Sequence, residues 1–258
     1  MILTHIGGPT VLIEIDGWRL LTDPTFDAAG GHYRFGWGTS SNKLTSPAVS
    51  AQQLPPIDAV LLTHDHHADN LDTAGRALLE TVPTIVTTTA AATRLRGADV
   101  RGLAVGTDTL LTAPGRSPLR VRATPARHGP PLSRPIVGAV IGFAIGGKGD
   151  DRVRVWVTGD TVLHRALLAT ARSLSIDVLI VHVGGVQFPI TGTVRYTMTG
   201  RQAVRVIEAA SPGVAVPVHV EGWSHFRDTR EHLELAVAAS PAAESVQWLS
   251  AGVPTEVG

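Results

Sequence analysis

Leu61-Leu62-Thr63-His64-Asp65-His66-His67-Ala68-Asp69-Asn70-Leu71-Asp72 packs three histidines and three carboxylates into the nine positions from His64 to Asp72. It begins where an apolar run, Ala59 to Leu62, stops. A buried strand that ends in imidazoles and carboxylates is a common way to hold a metal at the edge of a sheet. Neutral imidazole and carboxylate are the N and O donors that zinc and its first-row neighbours accept. One histidine here would read as a polar loop or a helix cap. Three within four positions, flanked by two aspartates, point to a cation.

Ile57 to Thr63 therefore reads as a buried strand, and Asp69 to Glu80 as a helix capped by Asp69 or Asn70, with Leu71, Ala74, Leu78 and Leu79 near one face. Upstream, Thr10 to Ile15 and Trp18 to Thr22 flank Asp16-Gly17 as a hairpin. From Phe26 to Pro56 glycines alternate with His32, Tyr33, Phe35 and Trp37, which predicts a long functional loop whose aromatics wall a pocket or pack on a partner subunit of a homo-oligomer.

Downstream, Thr84 to Thr88 is a strand and Ala90 to Arg96 a helix ended by Gly97. Short extended pieces follow near Leu103 and Leu110, and Leu119 to Thr124 is a strand that stops at Pro125-Ala126-Arg127-His128. Val137 to Ile145 and Arg152 to Thr158 form a predicted hairpin that runs into Gly159-Asp160. Val162 to Leu174 is helical, and the strand Asp177 to Val181 delivers His182. A second loop spans Gly184 to Tyr196, Thr199 caps a helix from Gly200 to Ala210, the strand Val214 to Val218 delivers His219, and Arg230 to Ala239 is the last helix.

The pattern that matters is positional. His64, His128, Asp160, His182 and His219 each stand at or within a few residues of a strand end. Strands of one sheet end at a shared edge, so residues distant in sequence converge there. Metal ligands need this convergence, because each donor must lie about 2.0–2.2 Å from one ion.

Composition sets bounds. The 258 residues are 43% hydrophobic and 17% charged, and 22 basic residues balance 22 acidic ones. No basic excess exists to neutralise phosphates, so a nucleic-acid partner is not expected. The absence of cysteine excludes disulfides, thiolate zinc sites, iron–sulfur clusters and a cysteine nucleophile. The start, Met1-Ile2-Leu3-Thr4-His5, lacks the marks of a signal peptide, and no apolar run is long enough to span a bilayer. A cytoplasmic protein without a membrane partner is expected. A serine hydrolase would need Gly-x-Ser-x-Gly and a helical zincin His-Glu-x-x-His; neither occurs.

These landmarks resemble the metallo-β-lactamase fold superfamily, within its lactonase-like and phospholipase-D-like hydrolases. The matching segments are Leu-Leu-Thr-Asp-Pro at 20–24, Val-Leu-Leu-Thr-His-Asp-His at 60–66, Asp-Asn-Leu-Asp at 69–72, Pro-Ala-Arg-His-Gly-Pro at 125–130, Thr-Gly-Asp-Thr at 158–161 and Val-Pro-Val-His at 216–219. They run in family order over nearly the whole chain. The resemblance implies an α/β fold, an αββα four-layer sandwich of two mixed sheets with helices outside, here as one domain over residues 1–258.

The family motif His-x-His-x-Asp-His is altered. His64-Asp65-His66 matches its first half and Asp69-Asn70 its second, with Asn for the last histidine and one extra residue between the halves. Three registers follow: His64 and His66 bind; His64 and His67 bind; or Asp65 and His67 take the ligand positions. His64 is favoured because the strand delivers it directly; His66 and His67 stay open. The resemblance implies a first ion on two motif histidines and His128. It implies a second on Asp69, Asn70 and His219, with Asp160 bridging. One or two divalent transition-metal ions, zinc or manganese, are expected. The amide of Asn70 should weaken the second site or favour a harder ion. Relatives often carry Gly-His where this chain has Gly7-Gly8, and His5 is expected to be structural.

The implied activity is metal-dependent hydrolysis of a small ester, lactone or phosphodiester by activated water. Asp69 would be the catalytic carboxylate, and His182 and His225 would bind the substrate. The alternative is a degenerate member that binds a ligand or protein without turnover. Aromatics in the two loops favour a small, partly apolar substrate.

Overall fold

The computed structural model describes residues 1–258, apart from the side chain of Ile136. Fifteen strands occur: β1 Ile2–Gly7, β2 Thr10–Ile15, β3 Trp18–Thr22, β4 His32–Gly36, β5 Thr39–Asn42, β6 Ala59–Leu61, β7 Thr84–Thr88, β8 Val100–Leu103, β9 Asp108–Leu111, β10 Leu119–Pro125, β11 Ile141–Gly147, β12 Arg152–Val157, β13 Ser175–His182, β14 Val214–Val218 and β15 Thr255–Glu256. The helices are α1 Thr73–Leu79, α2 Thr89–Ala92, α3 Arg134–Val137, α4 Arg165–Ser173, α5 Gly200–Ala210 and α6 Arg230–Ala238.

The strands make two mixed sheets. One has the order β15-β1-β2-β3-β6-β7-β8, the other β14-β13-β12-β11-β10-β9, and β4-β5 stands apart as a hairpin. Successive residues of a strand face opposite sides, and both sheets bury both sides. Leu20 and Leu61 face the opposing sheet, while their neighbours Leu21 and Val60 face the layer that holds α1. In β13, Val178 and Ile180 point between the sheets, and Leu179 and Val181 point at α4 and α5. The central layer interleaves Val11, Ile13 and Val86 of the first sheet with Val121, Phe143 and Val155 of the second. Each such side chain stabilises the fold by about 1.5–3 kcal/mol relative to exposure. The result is the αββα sandwich expected. Among the described residues no helix is long and apolar enough to cross a membrane.

Several element boundaries differ from expectation, each for a local reason. The first helix starts at Thr73, because Asp72, not Asp69 or Asn70, caps it by accepting from Gly75 N at 2.8 Å. Asp72 also accepts from Lys43 Nζ at 2.8 Å in a buried ion pair. The residues before it are thereby left as loop, free to face the site. His164 caps α4, accepting from Leu167 N, so that helix starts three residues late. The predicted strand from Val137 begins only at Ile141, after the short α3. The helix predicted over Ala90 to Arg96 shrinks to α2, capped by Thr88. The long loop contains β4, where half-buried Tyr33 and Phe35 alternate with exposed residues, and β5, which is polar throughout. Strands β1 and β15 pair with each other at the sheet edge; neither is evident from periodicity.

Candidate metal centre

The strand ends meet at one edge of the sandwich. The register of the second sheet sets Val157 beside Ile180, and His182 beside Val218. Asp160, His182 and His219 are therefore delivered by the neighbouring strands β12, β13 and β14. From the first sheet β6 delivers the loop that begins at Thr63. Tight backbone joins these pieces. Gly159 (φ +64) precedes Asp160, and a Cβ there would lie 2.7 Å from Ile141 O. Gly184 (φ +84) would place a Cβ 2.4 Å from His219 O. His219 itself has φ 61, a conformation that costs a non-glycine residue about 1–3 kcal/mol and persists where surroundings impose it. Its N–H donates to Gly8 O at 2.9 Å, and His5 Nε2 contacts the same carbonyl at 3.0 Å. His5 is thus buried and structural, as expected.

Two sets of three donors lie here, each with its ligand atoms within 4.8 Å of one another: His64, His67 and His128, and Asp69, Asp160 and His219. All six residues are buried.

In the histidine set, Thr63 Oγ1 donates to Asp23 Oδ2 at 2.9 Å and lies 3.0 Å from His64 Nδ1. Its own proton spent on Asp23, that hydroxyl accepts from His64 Nδ1, which leaves Nε2 with a bare lone pair. His128 Nδ1 donates to Tyr196 O at 2.8 Å, and its Nε2 is bare for the same reason. Both bare nitrogens approach His67 Nδ1, at 3.3 Å for His64 and 3.0 Å for His128. Burial, then the neighbouring imidazoles His67 and His128, hold His64 well below the usual histidine range. Burial likewise lowers His67 to about 4 and His128 to about 3. Three neutral rings turn their nitrogens on one point with too few hydrogens to share, an arrangement that a cation satisfies.

The acidic set shows the same deficit. Asp69 Oδ1, both carboxylate oxygens of Asp160, and His219 Nε2 are buried without a hydrogen-bond partner. Burial opposes the ionisation of Asp69, but His219, whose Nε2 lies 3.4 Å from its Oδ2, and the contact with His225 outweigh it and hold the carboxyl well below its usual range. Burial pushes Asp160 up to about 6. Burial also opposes the charge on His219, and Asp160 and Asp69 overcome it to raise His219 to about 9. Buried polar atoms are rarely orphaned, so four in one set mark a place built for a ligand. The donors suit a divalent ion of the first transition row.

Between His66 and His67, the structure brings His67 to the site. His66 lies outside both sets; its Nδ1 sits 3.2 Å from Asp65 Oδ1 and its ring lies against Gly138. Asp65 is likewise turned away, held by Arg94 Nε and Nη2 at 2.9 and 2.6 Å. The extra residue between the motif halves is thus absorbed at Asp65-His66. Asn70 donates from Nδ2 to Asp23 Oδ2 at 3.4 Å.

Above the sets lies a cavity of about 100 Å³ whose lining includes His67, Asp69, His128 and His225. Phe35 and Trp37 of the β4-β5 hairpin wall one side, and Phe188 and Tyr196 of the second loop the other. Both loops expected to shape specificity do line it. His225 Nε2 contacts Asp69 Oδ2 at 2.9 Å, its Nδ1 contacts Ser41 Oγ at 2.5 Å, and Phe188 stacks on its ring at 5.1 Å. His182, expected to touch substrate, is fully buried and does not line the cavity. Sequence reasoning missed Ser41, which nothing in its surroundings marks. It also missed Asp23 as a functional group, although the Thr-Asp-Pro landmark carried the signal. His32 and His232 are exposed and His164 caps a helix.

Residues 18–220 match the family model of the beta-lactamase superfamily domain. The chain belongs to that superfamily. A protein of Staphylothermus marinus named a metal-dependent hydrolase is 26% identical over 242 residues, covering 93% of this chain and 91% of that one. A like-named protein of Carboxydothermus hydrogenoformans is 26% identical over 95% of this chain and 99% of its own length. The fold is shared with the isothiocyanate hydrolase from Delia radicum gut bacteria (TM-score 0.79, 20% identity, 100% of this chain and 99% of that chain). It is shared too with Igni18, a metallo hydrolase of Ignicoccus hospitalis (TM-score 0.71, 23% identity, 98% and 97%).

Proposed function

We propose that this protein is a metal-dependent hydrolase of a small, uncharged ester or lactone. The observation that carries this is the pair of buried donor sets at the floor of an aromatic-walled cavity. His64, His67 and His128 would hold one divalent ion, zinc or manganese, and Asp69, Asp160 and His219 a second. A bound cation of this kind supplies Lewis acidity and makes water a nucleophile near neutral pH.

The chain's own groups do the rest. Asp69 faces the cavity, orients the attacking water and takes its proton. His225, joined to Asp69 Oδ2 and to Ser41 Oγ, passes a proton towards the leaving group. Phe35, Phe188 and Tyr196 exclude water and pack on the apolar part of the substrate. Among the described residues the cavity lining includes no lysine or arginine. Away from the proposed ions, a charged group on the non-reacting part of the substrate would lose hydration with no cationic side chain to replace it, so an ester or lactone with apolar substituents suits these walls. The relatives named metal-dependent hydrolases support the reaction class.

The test is a panel of aryl esters, lactones and a phosphodiester diester dye, assayed before and after chelation. Turnover of a neutral substrate that chelator abolishes and zinc or manganese restores is expected. Chelator-insensitive turnover would overturn the proposal, and metal binding with no turnover on any substrate would favour a ligand-binding module instead.

A further inference from the structure

The acidic set has three donors, and the position that would supply a further imidazole in the family motif is Asn70. His182, last residue of β13, is fully buried at this edge and, unlike the buried His225, has no hydrogen-bonded partner on either ring nitrogen. Its strand lies between those that deliver Asp160 and His219, and its ring centroid is 5.9 Å from that of His219. Neither ring nitrogen has a hydrogen-bond partner. Nε2 stands 3.5 Å from the carboxylate Oδ2 of Asp23, while Nδ1 faces no acceptor or donor at all.

Every other histidine of the two sets with a defined anchor follows one plan. One nitrogen is fixed by a protein acceptor and the other faces the donors: Thr63 Oγ1 for His64, Tyr196 O for His128 and Val183 O for His219. Metal-ligating histidines generally have their second nitrogen fixed in this way, often by a carboxylate. His182 has the carboxylate, Asp23, on one nitrogen and an unused lone pair on the other. Asn70 meanwhile turns its Nδ2 to the same Asp23 oxygen. A hydrogen-bonded core role would give at least one ring nitrogen a partner at bonding distance, and His182 has none.

We infer that His182 is a ligand of the second cation, replacing the imidazole lost at Asn70, with Asp23 fixing its ring. This rests on the acidic set being a cation site. Asp69, Asp160, His219 and His182 then give four protein donors, the number a tetrahedral zinc site uses. His182 stands outside the set of mutually close donors, so ligation requires its ring to turn towards them. The altered motif is on this view a relocation of one donor from the β6 loop to the end of β13, within the same pocket.

The experiment is cobalt(II) loading of chelator-stripped protein, read by ions per chain and by the visible absorption of the bound ion. Wild type takes two ions. His182→Ala retains the ion on His64, His67 and His128 and binds the second at least about a hundredfold more weakly, since loss of an outer partner alone costs 10–100-fold. Retention of the first ion shows that the variant is folded; if His182→Ala fails to fold, His182→Asn is used. Asn70→Ala keeps both ions. Adding Asn70→His to His182→Ala restores the second. His182→Ala with both ions bound at wild-type affinity overturns the inference, as does loss of the second ion in Asn70→Ala instead. Wild type that binds no cobalt overturns the inference together with the metal-centre reading, whereas two ions in both wild type and His182→Ala overturns the inference alone.

Discussion

The two donor sets lie side by side but are made differently. The histidine set is three neutral imidazoles, two of them three residues apart on one loop. The acidic set is two carboxylates and one imidazole, drawn from three separate segments and from both sheets. Burial disfavours charge in both, which lowers the pKa of the imidazoles in the first and raises that of Asp160 in the second. The lesson is that a short loop can supply two donors of one set by local spacing and needs only His128 from the other sheet, while the second set draws every donor from a different segment. The motif is altered at both sets: an extra residue lies between His64 and His67, and Asn70 follows Asp69.

The hardest blow to the contrast is removal of an imidazole from the first set. His128→Ala should lose the first ion and lower kcat/KM by more than about a hundredfold, because loss of an outer partner already costs 10–100-fold. Elemental analysis beside steady-state kinetics checks this. An active His128→Ala enzyme with full metal content would erase the distinction between the sets.

His225→Ala should have a smaller effect, about 10–100-fold in activity, with both ions retained. It removes the partner of Asp69 Oδ2 and not a ligand. A loss of the second ion in this variant would move His225 into the acidic set.

Stability against pH sharpens the comparison further. In the chelator-treated chain His67 titrates at about 4 and His128 at about 3, against 6.5 ordinarily. Between these limits the unfolded chain binds more protons, so this set costs stability as pH falls from 6.5 towards 4. Asp160 is raised from 3.8 to about 6. There the folded chain binds more protons, so it costs stability as pH rises through that range. Urea midpoints from pH 4 to 8 should show a shallower acid loss in His67→Gln and a steeper one in Asp160→Asn. Equal slopes in both variants would refute the assignment.

The smallest effect belongs to His66. Its side chain touches neither set, so His66→Ala should keep metal content and change stability by no more than about 0.5 kcal/mol. A lost ion would return the first register of the motif to contention.

How much of this the sequence carried depends on the range of the interaction. Apolar and β-branched content marked β2, β3, β7, β10, β12 and β14, because the composition of a short run is a local property of the chain. It did not reveal β1, β15 or the β4-β5 hairpin, whose pairing depends on partners elsewhere. The strand-end positions of His64, His128, Asp160 and His219 were legible for the same local reason, and so was their common edge. Which of two adjacent histidines turns inward was not legible. That choice follows from Arg94 holding Asp65 and from Gly138 making room for the His66 ring, contacts 29 and 72 positions away in sequence.

By itself, then, the sequence determined the layer order, the donor types and the edge at which they gather, since periodicity and strand termini are written residue by residue. Only the tertiary structure decided that His67 joins His64 and His128, that Asp72 caps α1, that Ser41 reaches His225, and that His182 lies beneath the centre beside Asp23. Each of these depends on the packing of segments far apart in the chain, and for Ser41 and His182, which stand on strands, one residue's shift in register would turn the side chain to the other face.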